Sequence, residues 1–338
     1  MNRRGVLYDT GRYLGFNWRP QFSREATRRD LTVIRDELHC NAVKLSGRDL
    51  DRLATAARDA IALGLEVWLS PELWNHTPAR TLDYLAAAAR TAETLRREPG
   101  ARIVLSVATE ATFFLRGILP GRTFAARTKH PAPAIRAGRH TEPLAAFLRA
   151  AAETARRHFN GPLTYASLPF ERVDWQRFDF VAVDHYRYIT SEPHYERVLE
   201  RLRRHEKPVI ITEFGMRTYK GADTDPNLLT VGLISWPTVA LHQLPLLNHL
   251  IRPRLIRGHH QRDEDLQARR IAEDLHILDR AGVEGAFVTQ FSEPLLTYHP
   301  DPRYDLDMSG FSLVRTYPGP PDRWERKAAF HAVAAHFR

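Results

Sequence analysis

Two glutamates, each at the end of a short apolar run, are the residues of this sequence best suited to chemistry. Glu110 closes a run that begins at Arg102, and Glu213 closes a run that begins at Lys207. Both runs have the length and the aliphatic, β-branched content of buried parallel strands. A carboxylate at the end of such a strand lies at the edge of the sheet where α/β folds bind ligands. Two such carboxylates are the groups needed for acid and nucleophile chemistry on a glycosidic bond.

That chemistry requires the two carboxyl groups to differ in protonation. A retaining mechanism needs one protonated carboxylic acid and one ionised carboxylate, about 5–5.5 Å apart, and opposite strands of a narrow barrel bring their terminal side chains to about this separation. Mutual repulsion and partial burial then raise the pKa of one of the two groups. The alternative is that both glutamates are barrel-end residues paired with arginines.

Alternating strands and helices surround these glutamates. The predicted strands are Gly5–Asp9, Asn41–Leu45, Leu65–Leu69, a fourth that leads to Glu110, Pro162–Ser167, Phe180–Asp184, a seventh that ends at Glu213, and Gly285–Gln290. The predicted helices are Ser23–Leu38, Leu50–Leu63, Thr81–Arg97, Thr141–Phe159, Glu192–His205, Asp263–Ala281 and Arg323–Phe337. Ser23 is the predicted N-cap of the first helix, and Gly64 is the predicted stop of the second.

Eightfold alternation over this length predicts the α/β class and one architecture within it. That architecture is a single (β/α)8 TIM barrel, with one domain covering residues 1–338. A doubly wound open sheet is the alternative. The segment after the first strand lacks the glycine-rich phosphate loop that such a fold normally carries.

The longest connections follow the fourth, seventh and eighth strands. They are Ala111–Arg139, Met216–Gln261 and Ser292–Pro321. All three lie on the face that carries the two glutamates, so we expect them to close a pocket for a small substrate. Basic residues in the first loop would make that pocket positive and favour a carboxylate or phosphate on the substrate. They are Arg116, Arg122, Arg127, Lys129 and Arg136. The alternative is that these side chains solvate the loop.

Composition excludes several classes of protein. Of the 338 residues, 43% are hydrophobic and 26% are charged, which is ordinary for a globular protein with a sizeable core. The net charge of +9 is spread over many arginines without a nucleic-acid-binding module, so no nucleic-acid partner is predicted. The first residues lack the apolar stretch of a signal peptide, and no apolar run reaches membrane length. The sequence therefore predicts a cytoplasmic protein with no membrane partner.

The two strand ends resemble the catalytic signatures of a known group of enzymes. Thr109-Glu110 and Ile211-Thr212-Glu213-Phe214-Gly215 are similar to those of the clan A glycoside hydrolases, which are retaining TIM-barrel enzymes. The resemblance implies that Glu110 is the general acid/base and Glu213 the nucleophile. Two positions depart from the family. Thr109 replaces an asparagine that holds the sugar 2-hydroxyl, and Gln290-Phe291 stands where the family usually has tryptophan.

The same resemblance implies two residues that support the nucleophile. Tyr186, near the end of the sixth strand, matches a tyrosine that commonly donates a hydrogen bond to it, and Lys44 lies near a family arginine on strand two. Such donors would keep Glu213 ionised. The neighbouring His185 could contact substrate, or it could be a core histidine bound to a backbone carbonyl.

Other residues expected at the barrel mouth form a set of candidate sugar contacts. They are Thr109, His185, Trp18, Trp74, Asn75, Gln290, Phe291 and Glu293. The aromatic members could stack on sugar faces, or they could simply pack. Asp9 and Glu72 are further polar residues expected at strand ends.

No cofactor and no metal are predicted. His259-His260 lacks the spacing of a helical ligand pair. Asp301, Asp305 and Asp307 lack the glycine and terminal glutamate of a calcium loop.

The function predicted from these residues is retaining hydrolysis of a small glycoside. One alternative is a biosynthetic enzyme that uses the same glutamates for proton transfer on a small metabolite. The other is a non-catalytic barrel that binds carbohydrate.

Overall fold

A closed barrel of eight parallel strands organises the protein. The computed structural model describes residues 1–225, 233–244, 246–247, 249–256, 260–321 and 323–338. Each strand pairs with the next along the chain, and the eighth pairs with the first. The barrel strands are β1 (Arg3–Gly11), β2 (Ala42–Gly47), β3 (Glu66–Pro71), β4 (Ile103–Thr109), β5 (Leu163–Ser167), β6 (Val181–Asp184), β7 (Val209–Phe214) and β8 (Gly285–Val288). The predicted (β/α)8 barrel is confirmed, and the open sheet is excluded.

Helices alternate with the strands and supply the outer layer. They are α1 (Arg24–Asp36), α2 (Leu50–Ala62), α3 (Pro78–Arg96), α4 (Ala111–Phe114), α5 (Phe124–Thr128), α6 (Ala132–Arg136), α7 (Thr141–Arg156), α8 (Tyr195–Arg203), α9 (Trp236–His242), α10 (Glu264–Arg280) and α11 (Ala328–Phe337). The three short helices α4 to α6 occupy a segment predicted as loop. Among the described residues, no helix has the length and apolar character needed to cross a bilayer.

Local signals in the sequence set several helix ends. The Ser23 hydroxyl accepts a hydrogen bond from the Ala26 N–H, so Ser23 caps α1 as predicted. Gly64 follows α2 with φ +77°, a left-handed conformation that ends a helix at low cost for glycine. Asp263 caps α10 by accepting from the Leu266 N–H.

The closing helix is shorter than predicted. Residues Trp324–Arg326 form a strand, β10, which pairs antiparallel with β9 (Val314–Thr316). The Trp324 ring packs edge-on against Phe291, and its indole N–H donates to Asp30. These contacts fix the segment in an extended form, so the helix begins only at Ala328.

The barrel interior changes from apolar to polar along its axis. Near the amino ends of the strands, Trp68 contacts Phe180 and Phe287 at ring distances of 5.0 and 5.2 Å. Towards the carboxyl ends the buried side chains become polar, and along β2 the alternate residues are Ala42, Lys44 and Ser46. Because alternate strand residues face the same side, this gradient places charged groups under the barrel mouth.

Candidate active site

Glu213 is held from both sides at the carboxyl end of β7. Its side chain is 9% exposed. The Lys44 ammonium on β2 donates to Glu213 Oε1 at 2.8 Å, and the Tyr186 hydroxyl donates to Oε2 at 2.8 Å. Each carboxylate oxygen therefore has a donor supplied by a different part of the barrel.

A register shift in β7 makes this placement possible. The pairing of β7 with β8 shifts between Ile211 and Phe214, and its pairing with β6 shifts at Asp184. Consecutive residues of a regular strand face opposite sides. Here Thr212 donates to Asp184 Oδ1 at 2.6 Å while the next residue, Glu213, meets Lys44. Such irregularities re-aim side chains near functional sites.

The surroundings of Glu213 favour its ionised form. Burial alone would raise the pKa of this carboxyl. The positive charges of Lys44 and Arg12, with the hydrogen bonds from Lys44 and Tyr186, outweigh burial and lower the pKa below its ordinary value. Burial lowers the pKa of Lys44, but the carboxylates of Asp184 and Glu213 raise it above the ordinary value. The pair is therefore a carboxylate beside an ammonium.

Glu110 has the opposite electrostatic environment. It is the first residue after β4, it is partly exposed, and its φ of +42° is left-handed, a conformation that costs energy for a residue other than glycine. Its N–H donates to the Ala166 carbonyl at 2.8 Å, which fixes the backbone. Desolvation and repulsion by Asp184, Glu213 and Glu171 raise its pKa well above the ordinary value. The surroundings of Glu110 therefore favour its protonated form, whereas those of Glu213 favour its ionised form.

Two more buried carboxyl groups lie in this cluster. Asp184 lies 3.9 Å from the Lys44 ammonium, and burial raises its pKa to about 8. Glu72 follows β3, and burial raises its pKa to about 7 although Arg12 and Lys44 oppose the shift. The mouth of the barrel is therefore rich in carboxyl groups.

Arg12 is the residue of this cluster that sequence reasoning missed. Asp9 accepts hydrogen bonds from the Arg12 N–H at 2.7 Å and from its guanidinium at 3.3 Å. The guanidinium also donates to Gln290 Oε1 at 3.2 Å and lies over the Trp74 ring at 5.7 Å. Arg12 lies in the loop after β1 and belongs to no recognisable motif, so the sequence did not predict these contacts. Only the barrel geometry brings it to Glu213.

The hydroxyl of Thr109 is bound to β3. It lies 3.1 Å from the Ser70 hydroxyl and donates to Glu72 Oε1 at 3.4 Å. Ser70 also donates to Glu72 Oε1, at 3.2 Å. Thr109, which stands where the family has asparagine, is thus hydrogen-bonded to neighbouring side chains.

Asn75 and Glu293, both predicted to contact the sugar, form hydrogen bonds that hold neighbouring loops in place. Asn75 Oδ1 accepts from the Arg127 guanidinium at 3.1 Å, and its N–H donates to the Phe114 carbonyl at 2.7 Å. Glu293 Oε2 accepts from the backbone N–H groups of Phe311 and Ser312 at 2.6 and 3.0 Å. Both side chains therefore fix the loops around the mouth.

The predicted rim tryptophans lie in aromatic clusters. Trp74 stacks on Phe114 at 4.1 Å, which joins the β3 loop to the β4 loop. Trp18 packs edge-on against Trp236 at 5.8 Å, which joins the β1 loop to the insertion after β7. Both rings remain partly exposed.

His185 and Phe291 lie away from the positions predicted for substrate contacts. His185 Nε2 pairs with the Tyr195 carbonyl at 3.0 Å, its ring stacks on Tyr195, and burial lowers its pKa to about 4. This arrangement matches the alternative in which His185 is a core histidine bound to a backbone carbonyl. Phe291 is fully buried between Tyr8 and Trp324, because its N–H pairs with the Leu7 carbonyl and turns the ring into the core.

Arg127, one of the five basic residues predicted to line the pocket from the β4 loop, does not do so. Arg127 is buried and donates to the carbonyls of Phe113 and Gly121. Its guanidinium therefore stabilises its own loop. Arg122, Lys129 and Arg136 are exposed.

In the part of the chain that the structure describes, no group of three His, Cys, Asp or Glu residues is arranged to hold a metal ion. His259, from the His259-His260 pair, lies outside that part.

Replacing Lys44 by methionine is expected to raise the pKa of Glu213, because it removes the nearest positive charge and one hydrogen bond. Tyr186→Phe removes only a neutral hydrogen bond and is expected to raise the pKa less. Carboxyl-carbon NMR titration of labelled glutamate would measure both shifts. An unmoved Glu213 titration in Lys44→Met would contradict this account of the site.

Comparison with known proteins identifies the fold. No protein-family model matches the chain, and no curated protein matches its sequence. A GH113 β-1,4-mannanase structure aligns over 98% of this chain and 97% of its own, with TM-score 0.60 and 14% identity. A GH2 β-galacturonidase from Eisenbergiella tayi aligns over 100% of this chain and 50% of its own, with TM-score 0.58 and 15% identity. A β-glucuronidase from Bacteroides uniformis, covalently bound to cyclophellitol-6-carboxylate aziridine, aligns over 100% of this chain and 35% of its own, with TM-score 0.58 and 16% identity.

These similarities confirm the expected likeness to glycoside hydrolase barrels at the level of fold. The chain spans half or less of the two uronidases and nearly all of the mannanase. At such identities the shared feature is the barrel.

Proposed function

We propose that this protein is a retaining glycoside hydrolase in which Glu213 is the nucleophile and Glu110 the general acid/base. The observation that carries the proposal is the opposed displacement of the two pKa values, lowered at Glu213 and raised at Glu110. Two carboxyl groups whose environments separate their pKa values are the basis for assigning acid and base. The barrel shared with glycoside hydrolases supports the same reaction class.

The reaction proceeds in two displacements. Glu213 attacks the anomeric carbon and forms a glycosyl ester, the glycosidic C–O bond breaks, and Glu110 gives its proton to the leaving oxygen. Glu110, now a carboxylate, takes a proton from water, whose oxygen attacks the anomeric carbon and releases Glu213. The sugar leaves with its original anomeric configuration, and both carboxyl groups return to their starting states.

Three neighbouring residues position the nucleophile in this proposal. Lys44 and Tyr186 each hold one oxygen of Glu213, so the carboxylate has a fixed orientation before substrate arrives. Arg12 adds positive charge at the mouth and is itself fixed by Asp9 and Gln290.

The proposed substrate is small. Stacking of Trp74 on Phe114 and of Phe16 on Trp236 holds the β4 loop and the β7 insertion to the rim of the barrel. Loops docked on the rim occupy space that an extended polymer would need. Cleavage of a disaccharide much faster than long polysaccharide is the corresponding expectation.

The proposed substrate is neutral at its reacting sugar. Lys44 pairs with Glu213, and Arg12 pairs with Asp9. Burial raises the pKa values of Glu110 and Asp184, which favours their neutral forms. The two cations beside Glu213 are therefore already paired with carboxylates of the protein, which favours a neutral sugar over the anionic substrate predicted from the β4 loop.

A panel of aryl glycosides tests the reaction and the sugar together. Neutral hexosides are expected to turn over with retention, and uronides at least roughly tenfold more slowly in kcat/KM, since a buried substrate carboxylate without a cationic partner costs more than about 1 kcal/mol. Proton NMR of the first-formed product gives its anomeric configuration. Inversion would refute the mechanism, and a preference for uronides would refute only the charge argument.

The contacts of Thr109 favour a second candidate function. Its hydroxyl is engaged with Ser70 and Glu72, so the usual donor to the sugar 2-position is occupied. The alternative is a biosynthetic enzyme that moves protons on a small metabolite through Glu110 and Glu213. Turnover of such a metabolite, with no turnover of any glycoside in the panel, would establish it.

A further inference from the structure

The insertion between β7 and α10 has apolar side chains of two kinds, some buried against the protein and others exposed. Its inner residues Ile234, Val239 and Leu255 are buried. Ile234 and Leu255 form an antiparallel bridge, and the Ile256 N–H donates to the Leu233 carbonyl at 2.8 Å. The Leu255 N–H donates to the Arg303 carbonyl at 2.9 Å, so the described part of the insertion is held to the loop after β8 without help from its outer side chains.

The insertion also carries a set of exposed apolar side chains, which we name the leucine face. Its members are Leu241, Leu244, Leu246, Leu250 and Ile256. Leu246 is 83% exposed, Leu250 is 71% exposed and Ile256 is 61% exposed. In the described part of the chain only eight large apolar side chains are exposed, and five of them belong to this face. Such concentration marks an interaction site, whereas single exposed apolar residues are ordinary.

The segment that carries the leucine face has charged residues of one sign only. No aspartate or glutamate occurs between Asp225 and Asp263, in a protein of net charge +9. Arg252 and Arg254 lie within this interval and are exposed beside the apolar residues. Protruding leucines with cations among them are typical of segments that lie in the interface of an anionic bilayer.

We propose that the leucine face docks the protein onto an anionic lipid surface. Lipid tails adapt to protruding side chains of any arrangement, whereas a protein partner must supply a pocket for each of them. The basic, acid-free segment matches the negative charge of phospholipid headgroups. The insertion starts at the carboxyl end of β7, just after Glu213, so docking uses the side of the barrel that bears the active site. Docking of this kind needs no helix that crosses the bilayer.

Vesicle co-sedimentation of the full chain tests the proposal. The protein is expected to bind vesicles of equal parts phosphatidylcholine and phosphatidylglycerol, to bind pure phosphatidylcholine weakly, and to lose binding as salt rises. Leu246→Ser with Leu250→Ser is expected to reduce the association constant roughly tenfold or more, because two apolar anchors are lost. Arg254→Gln is expected to weaken binding to the anionic vesicles only.

Ile189→Ser is the matched control, since Ile189 is an exposed apolar residue outside the insertion. It is expected to bind vesicles like the unaltered protein. Failure of the unaltered protein to bind anionic vesicles would overturn the proposal, as would equal binding by the double leucine variant. A lipid-free dimer abolished by that variant would assign the face to a second copy of the chain instead.

Discussion

Replacing Glu213 by glutamine is expected to lower kcat for the best aryl glycoside by about 10⁴-fold or more, because the amide cannot form the glycosyl ester. Glutamine keeps the size of the side chain: its carbonyl oxygen can still accept from Lys44, and its NH2 group can donate to the Tyr186 hydroxyl. The loss therefore reports the missing nucleophile more than a collapsed site. Steady-state kinetics on the purified variant measure it.

Glu293→Gln is the matched control for this change. Glu293 is also a buried glutamate at the barrel end, but it holds the backbone of Phe311 and Ser312. Its variant is expected to keep most activity, and thermal unfolding would show whether both variants are folded. A Glu213→Gln enzyme that is folded and nearly as active as the unaltered protein would rule out Glu213 as nucleophile.

Replacing Glu110 by alanine is expected to slow glycosides with poor leaving groups by about 10²–10⁴-fold, the range for loss of a general acid or base. Glycosides with good leaving groups need less protonation, so the variant still forms the glycosyl ester readily. Hydrolysis of that ester by water then becomes the slow step. Added azide requires no base. It attacks the ester, its nitrogen bonds to the anomeric carbon, and a glycosyl azide of retained configuration is released.

The pH profile gives a second readout for Glu110. The unaltered enzyme is expected to lose activity at low pH as Glu213 is protonated, and at high pH as Glu110 loses its proton through its raised pKa. The alanine variant is expected to lack the alkaline loss. Lack of azide rescue together with an unchanged alkaline limb would remove Glu110 from the role of acid/base.

The barrel and its main carboxylates were predictable because they depend on local patterns. Apolar runs closed by Glu110 and Glu213 define strands, and the carboxyl ends of parallel strands in a barrel all meet at one mouth. Lys44 and Tyr186 were implied as supports of Glu213 by the resemblance to clan A glycoside hydrolases. Their hydrogen bonds to Glu213 agree with the predicted contacts, while the catalytic roles stay predictions.

The remaining contacts depend on tertiary structure that no local pattern encodes. Arg12 reaches the site from a loop whose path is set by Asp9 and Gln290. Phe291 turns inward because its backbone N–H pairs with β1. Arg127 is buried because its guanidinium donates to a backbone carbonyl of its own loop. The register shift in β7 lets Thr212 and Glu213 both face polar partners. The alternation of apolar and polar residues in the sequence does not predict this shift.

Mass spectrometry of a trapped intermediate tests the central claim most directly. A 2-fluoro analogue of the best glycoside with a good leaving group slows breakdown of the glycosyl ester more than its formation, so the ester should accumulate. The account predicts a single added glycosyl mass on the proteolytic peptide that contains Glu213, with loss of activity in step with labelling. A label on any other residue, or full turnover with an inverted product and no label, would contradict it.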